Sequence, residues 1–280
     1  MTVVTRFAPS PTGYLHLGHA FAALTAWQRA RAAGGRFLLR LEDIDTARCR
    51  PHFAAAIVED LAWLGLDWDG EVRVQSRHLA EYRAVLDRLA ARGLLYPCFC
   101  TRAGIAREVA AAAGAPQGPD GPRYPGTCRR LSADERAARL AAGQPHALRL
   151  DMAAARAAVP QPLIVREEAE GERRCDPAGF GDVVLGRKDA PASYHVCVTH
   201  DDALQGVTLV TRGADLRAAT DLHRLLQALL GWPVPVYAHH RLLTDSSGNR
   251  LAKRDNSPSL RVLRNGGATP SGIRASLGDM

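Results

Sequence analysis

No run of the 280 residues is apolar for long enough to cross a bilayer. Met1 to Arg6 leads straight into a predicted strand without the charged-then-apolar leader of a secreted chain, so the cytoplasm is the expected compartment. The six cysteines, Cys49, Cys98, Cys100, Cys128, Cys175 and Cys197, are spread irregularly, which argues against a disulfide framework. No Ser/His/Asp or Cys/His set is spaced for nucleophilic catalysis. Acidic residues are the minority, 29 against 36 Lys and Arg, for a net charge of +7 and a pI near 9.4. That balance suits a protein that meets a polyanion. The length allows one large domain or two modest ones.

What is present is concentrated first in Thr5 to Ala20, TRFAPSPTGYLHLGHA. A β-prone run, Val3 to Phe7, enters a Pro/Ser/Gly turn at Pro9 to Gly13, and a helix begins near Leu17 to His19 and continues to Arg31. Unpaired N–H groups and the positive end of a helix dipole make such a junction an anion site. Here His16 and His19 flank Gly18, which lets a phosphate approach, and a nucleotide phosphate is the expected anion.

His16-Leu17-Gly18-His19 resembles the first signature of class I aminoacyl-tRNA synthetases, and Arg6-Phe7-Ala8-Pro9-Ser10-Pro11-Thr12-Gly13 is similar to their glutamyl and glutaminyl branch. The implied fold is α/β: a Rossmann-type doubly wound parallel sheet with a zinc-containing insertion and a short helical C-terminal part. Residues 1–96 are expected to form the first half of the catalytic domain, 97–184 the insertion, 185–235 the second half, and 236–280 a signature loop and short helical segment. The chain is too short to add a complete anticodon-reading domain.

Gly34-Gly35 precedes a buried parallel strand, Arg36 to Leu41, that ends in Glu42-Asp43-Ile44-Asp45. A carboxylate at the carboxyl end of such a strand faces the ligand crevice, so Glu42 is a candidate partner for a substrate ammonium, the alternative being a solvated acidic turn. Helices are predicted over Ala54–Leu64 and His78–Arg92, with Gly93 closing the second. Trp63 and Trp68 read as packing residues.

Cys98-Phe99-Cys100 and Cys128 offer three soft ligands across a loop, the start of a tetrahedral zinc site or a set of three buried reduced thiols. In the glutamyl-queuosine branch that the chain resembles, a tyrosine four residues before the last cysteine completes the set, which implies Tyr124. Ala110 to Pro122 reads as surface loop. Ser132 to Ala142 reads as a helix with a Ser132/Glu135 capping box, and His146 to Asp182 as a small β-containing insertion.

Ala192 to Val198 is expected to rejoin the main sheet, followed by Asp201-Asp202, a strand from Gly206 to Gly213, and a helix from Asp215 to Leu230. The resemblance assigns Tyr194 and Arg212 to the amino-acid substrate, and an arginine at a strand's carboxyl end can pair bidentately with a carboxylate. Ala214 departs from the glutamate usual at that position. Arg250-Leu251-Ala252-Lys253 resembles the second class I signature, KMSKS, with Arg250 and Lys253 in the places of its lysines; the alternative is a basic surface loop. About 25 residues follow Asp255, room for one or two short helices.

The resemblance implies activation of L-glutamate on ATP with Mg²⁺. His16, His19 and Lys253 would be catalytic; His16, Gly18, His19, Arg250 and Lys253 would bind ATP. Arg6, Phe7, Ala8, Pro9, Ser10, Glu42, Tyr194 and Arg212 would hold glutamate, and Cys98, Cys100, Tyr124 and Cys128 one structural zinc. The short stand-alone relatives with this cysteine pattern glutamylate queuosine in tRNA(Asp) without needing tRNA for activation, and the chain is expected to do the same as a monomer with no membrane partner. The competing readings are a truncated synthetase charging tRNA(Glu), a non-catalytic RNA-binding paralogue, and a small-molecule adenylyltransferase.

Overall fold

The computed structural model describes residues 2–111, 117–243 and 258–278. Strand β1 (Val4–Phe7) is followed by helix α1 (Leu17–Ala32) and returns as β2 (Arg36–Leu41), parallel to β1 with Arg6 opposite Leu38. The return is tight. A Cβ on Gly35 would fall 2.0 Å from the Val3 carbonyl oxygen, so only glycine lets α1 hand over to β2 there. Helix α2 (Pro51–Trp63) leads to β3 (Arg73–Val74), parallel to β2, and to α3 (Leu79–Ala91).

Next come β4 (Leu95–Cys98), α4 (Arg102–Ala111), a minimal hairpin β5 (Gln117–Gly118) and β6 (Gly121–Pro122), α5 (Ala133–Ala141), β7 (Ala147–Leu150), and α6 (Met152–Ala157). They lead into β8 (Ile164–Glu167), β9 (Gly171–Arg174) and β10 (Val184–Gly186). Strands β10, β7 and β4 form an antiparallel sheet of their own. The chain then makes α7 (Tyr194–Leu204), β11 (Leu209–Gly213), α8 (Ala219–Leu230) and β12 (Val236–His240). It ends in α9 (Leu260–Asn265) and α10 (Pro270–Leu277).

Strands β11 and β12 are parallel, and the Thr208 N–H donates to the Val4 carbonyl at 3.0 Å, which sets β1 beside the segment entering β11. The chain therefore winds outward from β1 through β2 and β3 on one side, and from β11 to β12 on the other. Such a reversal of winding opens a crevice at the carboxyl ends of the two central strands, here those of β1 and β11.

Several expectations change in detail. Ala192–Val198 is not sheet: Tyr194–Leu204 is helical and buried on most of its circumference, by Val196 to Thr199 and by Asp201 and Asp202, and this tertiary burial overrides the β preference of that short run. Within the cysteine loop, helix α4 runs into the predicted surface stretch at Ala110 and Ala111, and 117–122 is paired as the hairpin. Strand β8 leaves the presumed insertion to pair parallel with β12 at Glu167 and Tyr237. The Ser132/Glu135 capping box forms as expected, with both reciprocal bonds present.

Helices α1, α2, α9 and α10 share a core in which Leu260, Ile273 and Leu277 pack with Leu15, Leu24 and Leu64. Asp60 of α2 is buried within this region, and its Oδ2 has no hydrogen-bond partner among the described residues. Burial pushes its carboxyl up to about 6 in spite of Arg264. Because the folded value exceeds the unfolded one near 3.9, the folded state holds the proton more tightly, and stability falls as pH rises between about 4 and 6. Asp60→Asn is expected to raise stability by about 2–3 kcal/mol at pH 8 and by almost nothing at about pH 3. Equal melting shifts at both pH values would contradict this account.

Candidate active site

The crevice between β1 and β11 is a cavity of about 490 Å³. Arg6 and Phe7 come from the end of β1, and Ala8, Pro9 and Ser10 from the turn that follows. His16, Gly18 and His19 come from the start of α1, Glu42 from the end of β2, Tyr194 from the first turn of α7, and Arg212 from β11. Residues separated by two hundred positions in sequence thus face one space. Arg250 and Lys253 lie outside the described residues.

His16 is the N-cap of α1. Its Nδ1 accepts the Gly18 N–H at 3.1 Å, while the His16 N–H donates to His19 Nδ1 at 3.2 Å. Two imidazoles here do what Ser and Glu do in an ordinary capping box. Since each Nδ1 accepts a backbone proton, each ring carries its own proton on Nε2. The ring centroids are 3.9 Å apart. The helix start therefore presents its dipole and two imidazoles of fixed tautomer, a set suited to phosphoryl oxygens.

Beneath this surface lies a buried ion network that sequence reading missed. Asp202 accepts from Arg6 Nε at 2.9 Å and from Arg40 Nη1 at 2.9 Å. Arg40, fully buried, also reaches Glu42 at 3.2 Å. Burial opposes charge on Arg40, but attraction to Asp202, Glu42 and Asp201 outweighs it and raises its pKa. Burial likewise opposes ionisation of Asp202, and Arg6 and Arg40 reverse this and lower its pKa. Asp201 accepts from Arg73 at 2.9 Å, from Gln75 at 2.9 Å and from the Tyr82 hydroxyl at 2.9 Å.

These pairings define what each lining group has to offer. Arg6 is already matched by Asp202 and by a bond to the Thr211 carbonyl at 3.1 Å. Burial raises the Glu42 carboxyl above its usual range against the pull of Arg40 and Arg6, so a nearby ammonium would favour its ionised form. Asp215, not singled out from sequence, adds a carboxylate to the lining one residue beyond Ala214.

A second cluster sits after β4. Cys100 Sγ is 3.4 Å from Cys128 Sγ and 3.3 Å from the Tyr124 hydroxyl, which lies 3.5 Å from Cys98 Sγ. Gly126, in the left-handed region at φ 82°, turns the chain so that Cys128 folds back onto the pair. Against burial, hydrogen bonds with Tyr124, the Phe99 N–H and Cys100 bring the Cys128 thiol down to about 7, while burial pushes Cys100 up to about 11. Three thiols and a phenol converge at spacings close to the roughly 3.8 Å edge of a zinc–sulfur tetrahedron. The donor set fits a soft divalent metal.

Among the described residues no helix is long and apolar enough to span a membrane. A sequence profile described as tRNA synthetases class I (E and Q), catalytic domain, matches residues 2–277. Glutamyl-Q tRNA(Asp) synthetase of Rhodobacter capsulatus is 50% identical over 284 residues, covering 99% of this chain and 100% of that protein. The protein of the same name from Symbiobacterium thermophilum is 46% identical, covering 96% and 83%. A glutamate tRNA ligase structure from Elizabethkingia meningosepticum, in complex with its amino acid, superposes with a TM-score of 0.76 at 28% identity. It covers 91% of this chain, and this chain spans 52% of that one.

The buried network makes a direct claim on stability. Asp202→Ala would leave Arg6 and Arg40 in the interior without their shared counter-ion, at a cost of about 3–5 kcal/mol in denaturant unfolding. A loss below 1 kcal/mol would show that the network does not hold these elements together.

Proposed function

The chain belongs to the catalytic-domain family of class I tRNA synthetases for glutamate and glutamine, and on that premise we propose that it activates L-glutamate with ATP and transfers the glutamyl group to queuosine in tRNA(Asp). The observation that carries this reading is the single cavity in which the His16/His19 helix start, Glu42, Tyr194 and Arg212 face one another. A glutamate carboxylate attacks the α-phosphorus of ATP, the bond to pyrophosphate breaks, and a mixed anhydride with AMP forms. Charge develops on the phosphoryl oxygens, where His16 and His19 would donate from Nε2 and Lys253 from its ammonium. Gly18 lets the phosphate approach, Arg250 would lie along it, and Mg²⁺ arrives with the nucleotide.

Glutamate would set its ammonium on Glu42, its backbone against the 6–10 strand and turn, and its side-chain carboxylate on Tyr194 and Arg212. Arg6, already paired with Asp202, acts as a framework cation more than as the carboxylate's sole partner. In the second step a hydroxyl of the queuosine cyclopentene-diol attacks the activated carbonyl and AMP leaves. Tyr194 also lines a neighbouring cavity of about 680 Å³ that includes Arg149 and Lys188, which gives an acceptor nucleotide a route to the same carbonyl. No residue needs to form a covalent intermediate.

Cys98, Cys100, Tyr124 and Cys128 would hold zinc, which would fix the segment after β4 and favour the thiolate and phenolate forms. The setting is the cytoplasm, with a monomer as the working unit. The competing reading is charging of tRNA(Glu); the relatives at 50% and 46% identity are named glutamyl-Q tRNA(Asp) synthetase, which favours the queuosine reading.

The decisive experiment offers radiolabelled glutamate, ATP and Mg²⁺ with queuosine-containing tRNA(Asp), the same tRNA without queuosine, and tRNA(Glu), followed by nuclease mapping. Label confined to the anticodon fragment of the queuosine-containing tRNA is expected; label on the terminal adenosine of tRNA(Glu) would replace the proposal with the competing one. Metal analysis of the purified chain should give one zinc, and Cys128→Ala should reduce it below about one-tenth per chain. Full zinc retention in that variant would remove Cys128 from the ligand set.

A further inference from the structure

Of the arginines that line the cavity, Arg6 and Arg212 have surroundings that differ in kind. Arg6 is bound by a carboxylate, Asp202. Arg212 is bound on three sides by uncharged groups. Its Nε donates to His239 Nε2 at 3.3 Å, its Nη1 to His223 Nδ1 at 3.2 Å, and its Nη2 to the Thr220 hydroxyl at 2.6 Å. The Tyr237 ring lies 5.3 Å from the guanidinium carbon.

A guanidinium can only donate, so the two facing imidazole nitrogens must be bare. His223 then carries its proton on Nε2, which donates to His195 Nδ1 at 3.1 Å, and His195 Nε2 in turn donates to Asp120 at 3.2 Å. His239 carries its proton on Nδ1, which donates to Glu167 at 2.8 Å. Both histidines are held neutral in the same way: burial, then the Arg212 charge, pushes their pKa values down. The carboxylates at the far ends of these contacts, Glu167 and Asp120, stand one and two imidazoles away from Arg212. With three of its five N–H groups engaged in this way, each terminal nitrogen retains one for a ligand.

We propose that His223 and His239 are positioning residues that orient Arg212 through neutral acceptors and so leave its positive charge undiminished, which makes the site select an amino acid with an anionic side chain over its amide. A carboxylate in either place would hold the guanidinium equally well but would cancel its charge before substrate arrives. The inference rests on the glutamate reading of this cavity.

The test compares near-isosteric acceptors that differ in charge: His223→Asn with His223→Asp, and His239→Gln with His239→Glu. Each is assayed by glutamate-dependent ATP–pyrophosphate exchange, with glutamine as competitor. The Asp and Glu variants are expected to raise the glutamate KM about 10- to 100-fold, a change of one to two powers of ten, with the ATP KM within about twofold of wild type. Glutamine should compete relatively better in them. The amide variants should recover most of the loss. Equal glutamate KM values within a charged and neutral pair, or parallel losses for ATP and glutamate, would overturn the proposal. If one position does not yield a folded variant, the other pair decides. Absence of exchange by the wild-type chain would overturn the activity itself, whereas wild-type exchange with unshifted variants would overturn this inference alone.

Discussion

The Asp202 carboxylate, shared between Arg6 and Arg40 in the interior, is the constraint from which the site follows. It ties α7 to β1 and to β2 at once, and Asp201 beside it ties the same helix to Arg73, Gln75 and Tyr82. A buried charge is tolerated only when its partners and hydrogen bonds are nearly ideal, so these elements have little freedom to slide. The ends of β1 and β2 and the start of α7 are set in one register, and Glu42 and Tyr194 come to face the same cavity as a result.

Much of the site could be read from the chain because its residues are local in sequence. The β1–α1 junction, strand β2 and the Ser132 capping box depend on short-range rules: a turn of Pro and Gly, a buried apolar run, a side chain three residues from its partner. The cysteine convergence was legible for a related reason, since a CxC pair and one return cysteine allow few arrangements. The ion network was not legible. Asp201-Asp202 looks like any acidic pair until the arginines more than a hundred residues away are brought to it, and a buried Arg40 is indistinguishable from a surface one in the string RFLLRL. His223 and His239 were invisible in the same way. Helix α7 was misread because a short β-branched run carries no period long enough to separate strand from helix.

The cavity distributes positive charge by choice of partner. Arg6 meets a full carboxylate, Arg212 meets imidazoles and a hydroxyl, and the two N–H donors at the helix start come from histidines whose tautomer is fixed by capping. In a low-dielectric pocket such differences decide where an anion settles, because a cation already neutralised attracts little beyond hydrogen-bond range. The capped imidazoles and Arg212 line the same cavity as Arg6, whose charge Asp202 already matches.

The separations spanned by the network also dictate an order of events during synthesis. Arg6 and Arg40 wait for Asp202 across 196 and 162 residues, and Arg73 waits for Asp201 across 128. Until α7 has left the ribosome, Arg6, Arg40 and Arg73 lack Asp201 and Asp202, and among the described residues only Arg40 and Arg73 have acidic partners in the first half, Glu42 and Glu81. The crevice therefore closes only after a late segment arrives, and the loops that must close to bring it there are among the longest in the chain.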